Sequence, residues 1–153
     1  MTCASVYPST QQRVSMYIPI SEQEMAGLRI LAQGRYQDKP YDRQMGNDGL
    51  KAHVQGLVGE YAVAKALNIM LDIAIYARSD DRRDLTLPDG RTLQVKYRER
   101  RTNDYALRST NPGEFEADIG VLVCAAEGGC EIVGVISREK FLRVAEVKDY
   151  GYG

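Results

Sequence analysis

The chain has 153 residues, which is the usual length of one domain and is enough to bury one hydrophobic core. Hydrophobic residues make up 44% and charged residues 27%, a balance typical of globular and not of disordered proteins. No apolar run approaches the ~18 residues that a membrane span needs, and the N-terminus lacks the basic and apolar regions of a signal peptide. We therefore expect a single cytoplasmic domain over 1–153 with no membrane partner.

Charge is unevenly distributed along the chain, although the net charge is only −1. Nine basic and six acidic residues between Arg78 and Arg108 give this segment a charge of +3, which leaves −4 for the rest. A local positive field favours a phosphate-backbone ligand, because most affinity for DNA comes from neutralising phosphates. A solvated charged loop is an equally open interpretation of the same residues.

The three cysteines, Cys3, Cys124 and Cys130, do not have the spacing of a metal site. We expect reduced thiols, as is usual for a cytosolic protein. Cys124 and Cys130 flank a predicted turn at 127–129, so a disulfide between them is the alternative.

The N-terminal part of the chain predicts an arm, a strand and a helix. Residues 1–12 are polar and are expected to form a mobile arm, and 14–18 alternate in polarity as a strand does. Ser21 and Glu24 then form a capping-box pair, which predicts a helix that runs to about Tyr36.

A second helix is predicted over about 48–67, after a loop over 37–48. Its apolar residues recur at helical spacing and form one buried stripe. At about 100° per residue, His53 and Glu60 lie together on one flank of that stripe, at the margin between core and solvent. A functional carboxylate there is held firmly and remains accessible. A solvated helix residue is the open alternative for Glu60, and a structural role is the alternative for His53.

The hydrophobic period then changes from that of a helix to that of strands. Apolar residues over 69–77 and alternation over 84–87 and 92–97 predict a three-strand meander. The turn Pro88-Asp89-Gly90 closes the second and third strands into a hairpin. With that turn, residues whose numbers sum to about 178–179 face each other across the hairpin.

The C-terminal third predicts two further strands and a short helix. A polar, irregular stretch comes first, with a short helix near 105–108. The nearly continuous apolar run 118–124 is expected as a central strand covered on both faces, and 131–136 as the next strand. Ser137 should cap the last helix, and 149–153 form a loop-like tail. These elements predict an α/β fold with a mixed central β-sheet flanked by helices.

The predicted hairpin gathers a carboxylate, an amide oxygen and an ammonium group. Its register brings Asp84 beside Gln94, and Gln94 and Lys96 emerge on one face because they are two apart on a strand. Oxygen ligands hold hard cations such as Mg²⁺, and a neighbouring lysine can orient or deprotonate an attacking water. Taken singly, Asp84 is better explained as a turn residue, whereas Lys in an apolar strand is harder to explain structurally.

In order and spacing, these residues resemble the PD-(D/E)XK nuclease superfamily. The pattern of that family is a helix-borne Glu, a strand-borne Asp, a hairpin, and (D/E)-x-K on the next strand. The stretch 56–67 looks like the helix that precedes the sheet in resolvase-like members, and 117–123 looks like their following strand. The resemblance covers about 48–137.

The resemblance implies a restriction-endonuclease-like core and a Mg²⁺- or Mn²⁺-dependent nuclease of phage or prokaryotic type. It makes Glu60, Asp84 and Gln94 metal ligands and adds Lys96 as the catalytic lysine. Gln94 stands where the family has Asp or Glu, so the site has one negative charge fewer. The expected activity is endonucleolytic cleavage of DNA by a homodimer. RNA is an alternative substrate, and an inactive nucleic-acid-binding or protein-interaction module on the same fold is an alternative function.

Basic residues around the hairpin and the helix flank are the candidate nucleic-acid contacts. Arg98 extends the last hairpin strand toward Arg100 and Arg101, and Arg83 precedes Asp84. His53 would join them from the helix. A solvated charge run remains an equally open interpretation of the arginines.

Overall fold

The computed structural model describes residues 2–6, 12–37, 48–69, 85–99, 107–109, 116–144 and 146–149. In this part of the chain, helices and two sheets form a mixed α/β fold, which confirms the predicted class. The elements in chain order are β1 Thr2–Val6, β2 Gln12–Pro19, α1 Glu22–Gln37, α2 Asp48–Leu67, β3 Leu85–Thr86, β4 Thr92–Arg98, β5 Leu107–Ser109, β6 Ile119–Ala126, β7 Gly129–Ser137, α3 Arg138–Val144 and β8 Glu146–Asp149. Among the described helices, none is long and apolar enough to cross a membrane.

The larger sheet has five strands in the order β2-β7-β6-β4-β3. Its central strand β6 pairs antiparallel with β7 and in parallel with β4, so the sheet is mixed. All residues from Gly120 to Cys124 are buried, because both faces of this strand are covered. The predicted central strand is thus confirmed.

Helices α1 and α2 pack on one face of the larger sheet. Leu93 of β4 and Val121 of β6 belong to the same hydrophobic cluster as Leu57 of α2. The two layers approach closely at Gly59, where an added Cβ would lie 3.3 Å from the Cβ of Tyr97. Helix α2 therefore rests almost directly on β4, and the glycine makes this short distance possible.

The opposite face of the sheet carries a second set of buried side chains. Leu122 and Ile136 are buried but lie outside the cluster formed with α1 and α2. Leu122 stands between Val121 and Val123, which both face the helices, so its side chain points the other way. The sheet is consequently covered on both sides.

Both described cysteines are buried and free, so the disulfide between Cys124 and Cys130 is wrong and the expectation of reduced thiols is confirmed for them. Cys124 pairs with Glu131 across the β6–β7 hairpin, whereas Cys130 pairs with Ala125. The two thiols therefore lie on opposite faces of the sheet. Burial raises the pKa of Cys130 to about 11, which keeps this thiol protonated.

A polar network joins the start of α1 to α2 and to the end of β2. The predicted capping box is confirmed: the backbone N of Glu24 donates to Ser21 Oγ, and Ser21 N donates to Glu24 Oε1, both at 3.0 Å. The Glu24 carboxylate also accepts from the Tyr61 hydroxyl and from Lys65 Nζ. Lys65 Nζ donates in addition to the carbonyl of Pro19 at 2.8 Å. The Lys65 ammonium on α2 thus joins α1, through Glu24, to the end of β2, through Pro19.

Some elements differ from the sequence expectations. Thr2–Val6, expected within a mobile arm, forms β1 and pairs antiparallel with both β5 and β8 in a separate three-stranded sheet. Leu107–Ser109 is a strand and not the end of a short helix. These pairings join segments more than a hundred residues apart, which local sequence patterns do not reveal. The predicted strand over 69–77 and the loop over 37–48 lie almost wholly outside the described residues.

The two glycines of α2 are expected to respond oppositely to substitution. Nothing lies within 4 Å of a Cβ added at Gly56, so Gly56→Ala should raise the free energy of unfolding by about 0.5–1 kcal/mol through its better helix propensity. Gly59→Leu should lower it by about 1–3 kcal/mol, because its side chain must displace Tyr97. Urea unfolding followed by circular dichroism measures both changes. Equal effects at the two positions would contradict the observed packing of α2 on β4.

The Glu24 network should make stability depend on pH. The backbone N–H of Ser21, then the Tyr61 hydroxyl and Lys65, lower the pKa of Glu24 from 4.5 to about 2. Its stabilisation is complete above the ordinary pKa and is lost as the pH falls from there through about 2. At pH 7, Glu24→Gln should lower the free energy of unfolding by about 1–2 kcal/mol, allowing for solvent screening, and the difference from wild type should vanish near pH 2.

Glu22→Gln is the matched control, because it removes a carboxylate from the same first turn of α1. A pH-independent difference between wild type and Glu24→Gln would contradict the assignment of this network. Denaturant unfolding curves between pH 2 and pH 7 provide the measurement.

Candidate functional site

Strand β4 separates an apolar row of side chains from a polar row. Leu93, Val95 and Tyr97 belong to or pack against the cluster formed with α1 and α2. Because successive side chains of a strand point to opposite faces, Gln94 and Lys96 point away from these helices. The structure therefore brings Gln94 and Lys96 to one face, as their spacing predicts.

Gln94 is buried beside a glycine. In the parallel register of β4 with β6, Gln94 pairs with Gly120 and Lys96 pairs with Leu122. Gly120 has no side chain, so it leaves space next to the Gln94 amide. Gln94 is only 7% exposed, and its Oε1 accepts no hydrogen bond from any residue that the structure describes.

A buried carbonyl oxygen without a donor costs about 1–3 kcal/mol relative to a satisfied one. Such an atom in a folded protein calls for a physical explanation, such as a bound ion or water. The Gln94 oxygen is a neutral, hard ligand atom of the type that binds Mg²⁺ and Ca²⁺. Lys96, half-buried on the same face two residues later, brings a cationic group to the same surface.

The hairpin that should supply the carboxylate has the predicted register where it is described. Leu85 pairs with Leu93 and Thr86 with Thr92, so the paired numbers sum to 178. The turn is closed by Leu87 N donating to the carbonyl of Arg91 at 2.7 Å, with Gly90 at φ +90°. Asp84 lies outside the described residues, so its place beside Gln94 stays a prediction.

Asp118 fixes the parallel register that places Gln94 beside Gly120. Its Oδ2 accepts from Thr92 N at 2.8 Å and from Thr92 Oγ1 at 3.2 Å, and its own N donates to Thr92 Oγ1 at 3.2 Å. Its carbonyl also accepts from Arg138 N at 2.8 Å, which joins the start of α3 to the same point. This role could not be predicted from the sequence, because Asp118 and Thr92 are 26 residues apart and carry no joint motif.

Glu60 lies in the helix layer on α2, half-buried, next to Gly59. Gly59 contacts Val95 and Tyr97, which point to the face of β4 opposite to Gln94 and Lys96. The described residues thus place the backbone of Glu60 and the side chain of Gln94 on different sides of β4. A ligand shared by both residues would have to lie at an edge of the sheet.

The candidate nucleic-acid contacts are placed only in part. Arg98 is half-buried on β4 and is two residues beyond Lys96, so its side chain starts from the same face. His53 is half-buried on α2, in the helix layer with Glu60. Arg83, Arg100 and Arg101 lie outside the described residues, so their roles stay predictions.

Of the three metal ligands expected from the sequence, the structure describes Glu60 and Gln94, and Asp84 lies outside the described residues. Within the described residues there is no group of three or more His, Cys, Asp or Glu side chains arranged to hold a metal ion. The expected set contains an amide and includes Asp84, which is not described. The Gln94 oxygen, which accepts no hydrogen bond from the described residues, is chemically suited to bind a cation. Asp84 would have to supply a negative charge beside it.

No family model, curated protein or solved structure matches the chain. The resemblance to PD-(D/E)XK nucleases therefore rests on the order and spacing of the residues in the sequence.

Replacing the buried Gln94 amide by an apolar side chain should stabilise the protein. Gln94→Met keeps a similar side-chain volume and removes the buried oxygen, so the free energy of unfolding should rise by about 1 kcal/mol. Gln55→Met is the control, because Gln55 is only half-buried and its change should stay within about 0.5 kcal/mol. Urea unfolding measures both. A clear loss of stability in Gln94→Met would show that the amide oxygen has a partner in solution.

Proposed function

We propose that this chain is a Mg²⁺- or Mn²⁺-dependent nuclease that hydrolyses phosphodiester bonds in DNA on a restriction-endonuclease-like core. The observation that carries the proposal is the buried Gln94 Oε1 without a donor among the described residues, two residues before Lys96 on one strand face. A site that stabilised only the fold would be expected to satisfy this oxygen or to replace the amide by an apolar side chain.

In the proposed site, Gln94 and Asp84 provide the oxygen ligands. Gln94 is held in place by its strand and by the Thr92–Asp118 contacts that fix the register of β4. Asp84 immediately precedes β3, and the hairpin register would place it opposite Gln94. A bound cation would lower the pKa of a coordinated water and neutralise charge that develops on the scissile phosphate.

Lys96 is proposed as the catalytic lysine. Its ammonium would hold the attacking water and the phosphate, and its positive charge would stabilise the negative charge of the transition state. Leu122, which is fully buried and pairs with Lys96 in the parallel register, would limit the water around the stem of Lys96 and so strengthen its attraction to a bound phosphate.

Glu60 is proposed as a further ligand that reaches the ion at the edge of the sheet. Glu60 starts from the helix layer, so its side chain would reach the ion around the edge of β4. Arg83, Arg98, Arg100, Arg101 and His53 are proposed to contact the phosphate backbone. A homodimer would let each subunit cut one strand, since one compact domain cannot enclose duplex DNA.

The second candidate is an inactive nucleic-acid-binding module on the same fold. It is favoured by the chemistry of Gln94, whose amide carries no charge and therefore binds a cation less strongly than a carboxylate would. This candidate predicts DNA binding that weakens with salt and has little dependence on metal, without turnover.

The test is cleavage of supercoiled, linear and branched DNA, and of RNA, with Mg²⁺ or Mn²⁺ and with EDTA as a blank. Wild type should cleave DNA only with metal, and Lys96→Ala should lower the rate by about 100-fold or more. Lys140→Ala is the matched control, because Lys140 is also half-buried but lies on α3. Absence of cleavage by wild type, or cleavage that survives Lys96→Ala, would reject the nuclease proposal.

Gln94→Glu separates the two candidates, because it adds a charge without changing the size of the side chain. Isothermal titration with Mn²⁺ should show tighter binding in this variant if Gln94 is a ligand. If neither wild type nor Gln94→Glu binds Mn²⁺ but salt-sensitive DNA binding persists, the inactive module is the better description.

A further inference from the structure

A separate cleft lies on the helix side of the sheet, away from the face of Gln94 and Lys96. It has a volume of about 640 Å³, which is within the usual range of small-molecule sites. Its walls are the first turns of α1, the middle of α2, the end of β4 and the β6–β7 turn. The cleft therefore lies where the parallel strands β4 and β6 end, a common ligand position in α/β sheets.

The floor of the cleft is apolar and includes one aromatic ring. Ile20, Met25, Val54, Val58 and Tyr97 line it. Burial raises the pKa of Tyr97 to about 12, so the ring is a neutral phenol over the physiological range. Such a floor suits a flat, aromatic ligand, because aromatic faces stack on each other and methionine packs well against them.

Three polar side chains, Glu22, Arg29 and Gln55, line the cleft around this floor. None of them forms an ion pair or a side-chain hydrogen bond with the part of the chain that the structure describes. The contrast with Glu24 is clear, since that carboxylate lies in the same turn of α1 and is held by Ser21, Tyr61 and Lys65.

The spacing of the charged groups limits the ligand further. Glu22 and Arg29 are seven residues apart on α1, which is about 10 Å along the helix axis. A ligand that uses both groups must carry an anionic group near Arg29 and donors near Glu22. Between them it must present an apolar or aromatic body to the floor.

We propose that this cleft binds a nucleotide. The base would stack on Tyr97 over the apolar floor, as bases do on aromatic side chains. Arg29 would bind the phosphate through its planar guanidinium, which matches phosphate geometry. Gln55 would hydrogen-bond the edge of the base, and Glu22 would accept from a sugar hydroxyl or an exocyclic amine.

The nucleotide would come either from solution or from a nucleic-acid strand with one base unstacked. Both sources present the same base and phosphate to the cleft. The proposal does not depend on nuclease activity, because the residues of the cleft lie on the other face of β4 from Gln94 and Lys96.

Isothermal titration of the full chain with the four deoxynucleoside monophosphates tests the proposal. The dissociation constant is expected to be below about 1 mM, the scale of weak specific ligands. Arg29→Gln and Gln55→Leu should each weaken it by about tenfold or more. Arg143→Gln is the matched control, because Arg143 is also an exposed helix arginine but does not line the cleft. Circular dichroism melting confirms that each variant is folded.

Titrations with inorganic phosphate, with nucleosides and with a short single strand identify what is recognised. Tighter binding of the monophosphate than of phosphate or nucleoside supports the proposal. A further gain with the single strand identifies a strand as the source. The proposal is overturned if no nucleotide binds at millimolar concentration, if phosphate alone binds equally well, or if Arg29→Gln and Arg143→Gln behave alike.

Running the same titrations with EDTA distinguishes this failure from a failure of the nuclease proposal. Nucleotide should still bind without metal, and Arg29→Gln should still weaken that binding, because Arg29 lines the cleft and Lys96 does not. Cleavage without nucleotide binding rejects the cleft alone, and nucleotide binding without cleavage rejects the nuclease alone.

Discussion

The parallel pairing of β4 with β6 is the constraint on which the rest of the structure depends. The Thr92–Asp118 hydrogen bonds fix where this pairing starts, and the register then places Gln94 beside Gly120. The pleat of β4 directs Leu93 and its odd-numbered neighbours toward α1 and α2, and the even-numbered side chains to the other face. A shift of one residue would exchange these two sets and bury Lys96 under the helices. Core packing and candidate chemistry are therefore set by one register.

Elements with local signals could be predicted from the sequence alone. Helix α2 has the predicted bounds, because its apolar residues recur at helical spacing over twenty residues. The Ser21–Glu24 capping box fixes the start of α1 through contacts three residues apart. The hairpin register follows from the turn at Gly90, whose positive φ only a few residue types adopt readily. In each case the determining contacts lie within a few residues along the chain.

Features that depend on distant segments could not be predicted. The burial of Gln94 depends on the neighbouring strand β6, which is distant in the sequence. Nothing in the hairpin sequence indicates that the Gln94 amide oxygen accepts no hydrogen bond from the described residues. The side of the sheet on which α2 lies, and with it the position of Glu60, depends on how the helix crosses β4 at Gly59. The sheet of β1, β5 and β8 joins the two ends of the chain, where the local patterns are weak. The candidate site was thus predicted as a set of residues, but its three-dimensional arrangement was predicted only in part.

The contact at Gly59 also has a mechanical consequence. Where two elements are separated by long side chains, rotamer changes absorb small displacements, but here the helix backbone meets the base of the Tyr97 side chain with little between them. Helix α2 and β4 must therefore move together. Lys96 and Tyr97 are joined by one peptide bond and face opposite sides of the sheet, so a tilt of the helix turns both side chains at once. A displacement of α2 would therefore alter both surfaces of β4 together.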